Sequence, residues 1–304
     1  MPRTTPPRIL TLLGTALAAL ALAGAGMAPA QAAAPVAVDA SLTPASGGRV
    51  HPTHRHTPDV QYVNLGDSFS AGFGSGTLRA GPIPGCLQGT GPSHVTRLAS
   101  LPGVHLTVDA SCAGATPEDI TAIAGAVRTQ LATADLVTLT LGGNDLDLAG
   151  LITACSTLGS DAACRQALAM ARQTLPSITA SARTTLRRID ASTSGRILVL
   201  GYPRLFSPQY GDNDFVTARH ARQLNRIADG LNRAVRAATR RTHTRFVPVA
   251  GPFNRHGLGS PTSWIYFNTA NPGDPFNMHP TTTGYLRGYY PAVLHRAGLH
   301  HRVR

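Results

Sequence analysis

Four residues, spread along the chain in order, carry the groups that acyl-transfer chemistry needs: Ser68, Gly114, Asn144 and His279. A serine hydroxyl is a poor nucleophile until a base takes its proton, which a neutral imidazole can do. The oxyanion formed when it attacks a carbonyl must be met by donors already aimed at it, such as a glycine N–H or a side-chain amide. Taken singly, two of these residues have plainer readings. Gly114 reads as a turn glycine after a strand, and Asn144 as a helix N-cap. The usual serine elbow, G-x-S-x-G, is absent, because Gly66-Asp67-Ser68-Phe69-Ser70 ends in serine. There is no phosphate-binding P-loop motif either.

Positioning these groups is a task for the elements around them. Short apolar runs at 60–65, 104–108, 136–141, 196–201 and 245–249 predict five strands. Helical patterns lie between them: one opened by Pro117 with Glu118 and Asp119 in its first turn, then about 161–190, 214–241 and 281–296. In the 214–241 stretch Phe215, Leu224, Ile227, Leu231 and Val235 form an apolar stripe, and Arg219, Arg222, Arg226, Arg233 and Arg236 fall largely off it. Strands alternating with helices imply an α/β fold with a parallel sheet covered on both faces. Working residues in such sheets collect beyond the carboxyl ends of the strands. Ser68 follows the first strand, Gly114 the second and Asn144 the third, while His279 precedes the last helix. The long glycine-rich segment from Gly72 to Gly91 is expected to form a mobile rim over them. On that rim Phe73, Leu78, Ile83 and Leu87 either receive an acyl chain or pack on the domain.

The N-terminus reads as an export signal. Arg3 and Arg8 precede an apolar run from Ile9 to Ala25, and Ala30-Gln31-Ala32 supplies a small-x-small cleavage pattern. Cleavage near Ala32 removes two arginines and leaves a net charge of +10 from the +12 of the full chain. Residues 33–58, rich in Pro, Ala and His, read as a flexible leader. All basic side chains other than histidine are arginines, but aromatics make up only 5% of the chain, so a nucleic-acid surface is not expected. The arginines imply a solvated basic surface with at most weak contact with anionic membrane surfaces. Four cysteines in an exported chain predict two disulfides. Among three possible connectivities, Cys86–Cys112 and Cys155–Cys164 are favoured: the second closes a short local loop, and the partners of the first flank the proposed site. Without a C-x-x-C pair, no metal site is expected.

Tyr62-Val63-Asn64-Leu65-Gly66-Asp67-Ser68-Phe69-Ser70-Ala71-Gly72 resembles the first block of the GDSL, or SGNH, hydrolase family. Ser111-Cys112-Ala113-Gly114 is similar to its second block, Leu141-Gly142-Gly143-Asn144-Asp145 to its third and His279-Pro280 to its last. Within that family the chain is most similar to secreted actinobacterial esterases and lipases. The resemblance runs from about Val60 to about Ala297 and implies a hydrolase domain over 59–304, folded as a flavodoxin-like three-layer α/β/α sandwich. It makes Ser68 the nucleophile, His279 the general base, and the Ser68 N–H, Gly114 N–H and Asn144 amide the oxyanion donors. Asp67, next to Ser68, is left as a loop-shaping hydrogen-bond group.

One departure matters for the chemistry. The family usually carries an acid three residues before the histidine, and here that position is Phe276. The main-chain carbonyl of Phe276 is therefore expected to orient His279, as in relatives that work with a Ser–His dyad. Asp274 is the competing candidate, with a turn role as its plainer reading. The resemblance implies a secreted, monomeric serine esterase or lipase acting on lipid or acyl esters through an acyl-Ser68 intermediate, with no cofactor and no metal. Two rivals stand beside it: a polysaccharide acetylesterase of the same fold, and a catalytically silent envelope-binding protein.

Overall fold

Seven strands occur in the computed structural model, which describes residues 58–303. They are β1 (Val60–Asn64), β2 (Leu78–Ala80), β3 (Leu87–Gly89), β4 (Val104–Asp109), β5 (Leu136–Leu139), β6 (Arg196–Leu200) and β7 (Arg245–Val247). The expected signal peptide, and the leader up to residue 57, lie outside the described residues. β1, β4, β5, β6 and β7 form one wholly parallel sheet in the order β4-β1-β5-β6-β7. Counted along the sheet strands alone, that is the 2-1-3-4-5 order of flavodoxin-like folds. The strand order reverses between β1 and β5, which places the topological switch point, and the crevice it opens, between those two strands. β5 is buried throughout and β6 everywhere but Arg196, as expected of strands covered on both faces.

The helices are α1 (His94–Ala99), α2 (Pro117–Ala126), α3 (Arg128–Ala132), α4 (Leu148–Cys155), α5 (Asp161–Asp190), α6 (Ala218–Ala238), α7 (Thr282–Gly284) and α8 (Tyr290–Ala297). A π-helical turn, Tyr285–Tyr289, joins the last two. α2, α4 and α6 pack on α5, while α8 packs on α1, β6 and β7, so helices flank the sheet in a three-layer α/β/α sandwich. Local chemistry sets the helix starts. Thr116 and Asp119 form a reciprocal capping box with Pro117 in the first turn of α2. α6 begins at Ala218 rather than 214 because the Asn213 side chain accepts from the N–H groups of Phe215 and Val216, and Thr217 then caps the helix. Leu224, Ile227, Leu231 and Val235 are buried along α6, and its five expected surface arginines are exposed.

Both disulfides join the pairs expected, Cys86 to Cys112 and Cys155 to Cys164. The first changes the reading of the Gly72–Gly91 segment, which is a two-stranded antiparallel hairpin of β2 and β3 rather than a long free rim. Besides the disulfide, the buried Gln88 amide ties it to the carbonyls of Asp109 and Ser111, at 2.9 and 3.0 Å. On the far side of the sheet from α5, His94 opens α1 with no exposed surface and packs against the rings of Tyr285 and Tyr289, centroids 5.6 and 5.2 Å away. Burial pushes its imidazole down to about 3.

Candidate active site

Beyond β1 the chain turns sharply at Gly66, whose φ is +111° and whose Cβ, were there one, would fall 2.6 Å from the Thr140 carbonyl oxygen. Only glycine fits so close an approach, and it brings the loop after β1 against the end of β5. Asp67, next in line, is fully buried. Its Oδ1 accepts from the Thr140 hydroxyl at 2.6 Å and the Phe69 N–H at 3.0 Å, and its Oδ2 from the Tyr202 hydroxyl. Burial raises its carboxyl above the usual carboxylate range, and these donors oppose the rise. Ser70 adds a second tie, with its hydroxyl accepting from the Thr140 N–H at 2.9 Å. The nucleophile loop is thus braced on both sides of Ser68.

Ser68 itself is 8% exposed, and its Oγ lies 2.7 Å from His279 Nε2. Serine donates in this pair if the Nδ1 of His279 carries the ring proton, and the other side of the ring supports that tautomer. Nδ1 faces two main-chain carbonyls: Asn277 at 2.9 Å and Phe276 at 3.3 Å. The Phe276 carbonyl is therefore present, but the shorter contact is to Asn277, which sequence reasoning missed. Asp274 does not reach the ring. Its carboxylate accepts from the Tyr266 hydroxyl (3.1 Å), the Asn268 amide (3.2 Å) and the Phe276 N–H (2.9 Å), anchoring the loop that presents the two carbonyls. The Asn277 side chain adds to this anchor, accepting from the Asn268 N–H at 2.6 Å and donating to the carbonyls of Asn271 and Pro272. The His279 ring also packs near Phe69 and Phe73, with centroids 5.0 and 5.4 Å away. Burial holds its imidazole down at about 4, against the upward pull of the two carbonyls.

Gly114 follows β4 with φ at +81° and nothing within 4 Å of where a Cβ would stand. Among the described residues, the main-chain N–H groups of Ser68 and Gly114 have no acceptor. Asn144 sits in the 3-10 turn after β5, one amide proton donated to the Ala115 carbonyl at 2.9 Å and the other left free. Ser68, Gly114, Asn144 and His279 all line one cavity of about 520 Å³. Much of its lining is apolar, including Leu146, Ile152, Leu158, Phe206, Phe215 and Phe267. Of the rim residues expected to meet an acyl chain, only Phe73 lines it. Leu78, Ile83 and Leu87 do not, because the disulfide and Gln88 turn the hairpin so that Leu78 and Leu87 face solvent, at 42% and 45% exposed. Among the described residues no cluster of His, Cys, Asp and Glu is arranged to hold a metal ion.

Comparison with known proteins agrees with this geometry. Residues 65–287 match the model of the GDSL-like Lipase/Acylhydrolase family. A lipase of Streptomyces rimosus is 31% identical over 240 residues, covering 77% of this chain and 85% of its own. Lipase 1 of Streptomyces coelicolor is 27% identical over 292 residues, covering 94% and 97%. Among solved structures, the extracellular lipase of Streptomyces rimosus superposes with a TM-score of 0.68 at 28% identity, over 79% of this chain and all of that one. Phospholipase A1 of Streptomyces albidoflavus follows at 0.64 and 26%, over 77% and 98%. With its sheet order, its serine and histidine in hydrogen-bond contact and its family match over most of the domain, the chain belongs to the GDSL-like lipase/acylhydrolase family and is a carboxylic ester hydrolase.

Proposed function

We propose that this chain is an exported lipase or long-chain esterase that works as a monomer through an acyl-Ser68 intermediate. The observation that carries the reading is the 2.7 Å contact between Ser68 and His279 in the lining of a largely apolar cavity of about 520 Å³. His279 takes the Ser68 proton as Oγ attacks the ester carbonyl, and the Asn277 and Phe276 carbonyls hold the ring in the tautomer that accepts it. The N–H groups of Ser68 and Gly114 and the Asn144 amide meet the oxyanion. Collapse of the tetrahedral intermediate expels the alcohol, which leaves with the proton from His279. Water, deprotonated by the same histidine, then releases the acid.

Cavity size favours medium or long acyl chains over acetyl, since an acetyl group would leave most of the apolar wall in contact with water. Two disulfides and similarity to a lipase described as extracellular support export, with cleavage near Ala32. The working form is taken as a monomer, and contact with a lipid surface is expected to be weak. A series of p-nitrophenyl esters tests the substrate class. Highest kcat/KM at C8 or longer is expected, and a preference for C2 would favour the acetylesterase instead. Failure of a fluorophosphonate to label the folded protein would revive the silent envelope-binding reading.

A further inference from the structure

Tyr202 stands just past β6, outside every motif block, yet its side chain reaches both the serine loop and the loop that carries Asn144. It is 5% exposed. Its hydroxyl donates to Asp67 Oδ2, in the residue before Ser68, and accepts the Gly143 N–H at 3.1 Å, in the residue before Asn144. Its ring meets Phe69 edge-on at 5.1 Å, and Phe69 in turn lies against His279. The main chain of Tyr202 is clamped to α6 by a pair of bonds: Asn232 Oδ1 accepts its N–H and Asn232 Nδ2 donates to its carbonyl, both at 2.8 Å. The phenol therefore reaches from a braced base across the ends of β5 and β1, over the switch point of the sheet.

The loop it grips is also held by the Asn144 amide on the Ala115 carbonyl and by buried Leu141 and Leu146, but the two residues between these anchors are glycines. Gly142 and Gly143 precede Asn144, Gly142 at φ +96°, and neither has a side chain to pack. A Cβ on Gly143 would come within 3.2 Å of the Tyr202 ring and hydroxyl, so the glycine is what lets the phenol sit directly against the loop. An oxyanion donor works only when held about 2.7–3.1 Å from where the charge develops, so a loop free to drift loses transition-state binding before it loses substrate binding. From this bridge we infer that Tyr202 is a positioning residue, setting the spacing between Ser68 and the Asn144 amide. The inference rests on the proposed roles of Ser68 and Asn144.

The test is a double-mutant cycle between Tyr202→Phe and Asn144→Ala, read in kcat and KM on one p-nitrophenyl ester, with near-UV circular dichroism to check the fold. Tyr202→Phe is expected to lower kcat by about 10–100-fold and to move KM less than about threefold. In the Asn144→Ala background the same change should cost less than about threefold, because no amide remains to be aimed. A merely structural phenol would instead lower thermal stability with kcat intact, or lower kcat equally in both backgrounds; either result overturns the proposal. If Tyr202→Phe does not fold, Asn232→Ala loosens the same phenol from its base and should show the same non-additive kcat loss; equal loss in both backgrounds would overturn the proposal. Asn144→Ala alone separates the two layers of the argument. Unchanged kcat there defeats the donor reading and this proposal with it, whereas a slow Asn144→Ala beside a fast Tyr202→Phe defeats only the proposal.

Discussion

The two loops that meet at Ser68 and His279 are held in opposite ways. The serine loop hangs on the sheet: Gly66 presses against the end of β5, and Asp67 and Ser70 bond to Thr140 through buried polar groups. The histidine loop, 268–279, has no strand of the sheet beside it. Its shape comes from side chains bonding to nearby backbone, chiefly Asp274 and Asn277. Rigidity on the first side is long-range and buried, while on the second it is local and half-exposed. Substitutions that keep the fold should therefore be costly on the serine side when they touch the reacting groups, and mild on the histidine side when they touch only the scaffold.

The largest effect should come from Ser68→Ala, with a loss on the order of 10⁶ in kcat and a melting temperature close to the parent's. Retained hydrolysis, or fluorophosphonate labelling at another residue, would end the nucleophile assignment. Asn144→Ala should lower kcat by roughly 10²–10³. A change confined to KM would make Asn144 a substrate-binding group. On the opposite loop Asp274→Asn should cost less than about tenfold in kcat, because its carboxylate holds the loop and never meets the ring. Loss of a true triad acid costs about 10⁴, so a fall of thousands with an intact fold would break the contrast between the loops.

Smallest of all should be the response to mild acid. The His279 imidazole, pushed by burial down to about 4, stays neutral and competent as a base well below pH 6.5. The kcat/KM ratio should then fall less than about twofold between pH 8 and pH 5, where an ordinary histidine near 6.5 would cost about 30-fold. A midpoint at or above 6.5 would mean that the ring is solvated in the free enzyme.

Legibility in the sequence followed the same division. β1, β5 and β6 are short runs rich in aliphatic and β-branched residues, and α5 carries a long helical pattern, so both were readable from residue types. The positions of Ser68, Gly114, Asn144 and His279 were readable because strand ends and ordered blocks mark them. Asn277 was not, since what it offers His279 is a main-chain carbonyl, and every residue has one. Tyr202 carried no signal because its partners are remote in sequence. β2 and β3, three residues each, are too short to show a period. The apolar wall of the cavity was hidden for another reason: Ile152, Phe206 and Phe215 look like core residues until the void beside them is seen.

His94 sets a limit of a different kind. Its ring packs against the rings of Tyr285 and Tyr289, both of which burial keeps neutral. The charged group nearest on its own helix, Arg97, lies over Tyr290 instead. In the unfolded chain this histidine takes up a proton near pH 6.5, and in the folded chain only near 3. The unfolded state therefore binds the extra proton first, and its advantage grows as pH falls from 6.5 towards 3, reaching a few kcal/mol. His279 draws stability down in the same direction, over the window from 6.5 to about 4. Acid therefore weighs on the scaffold as well as on the catalytic base, partly at a cluster of rings remote from the cavity, while the raised carboxyls of buried Asp67 and Asp109 pull stability the other way.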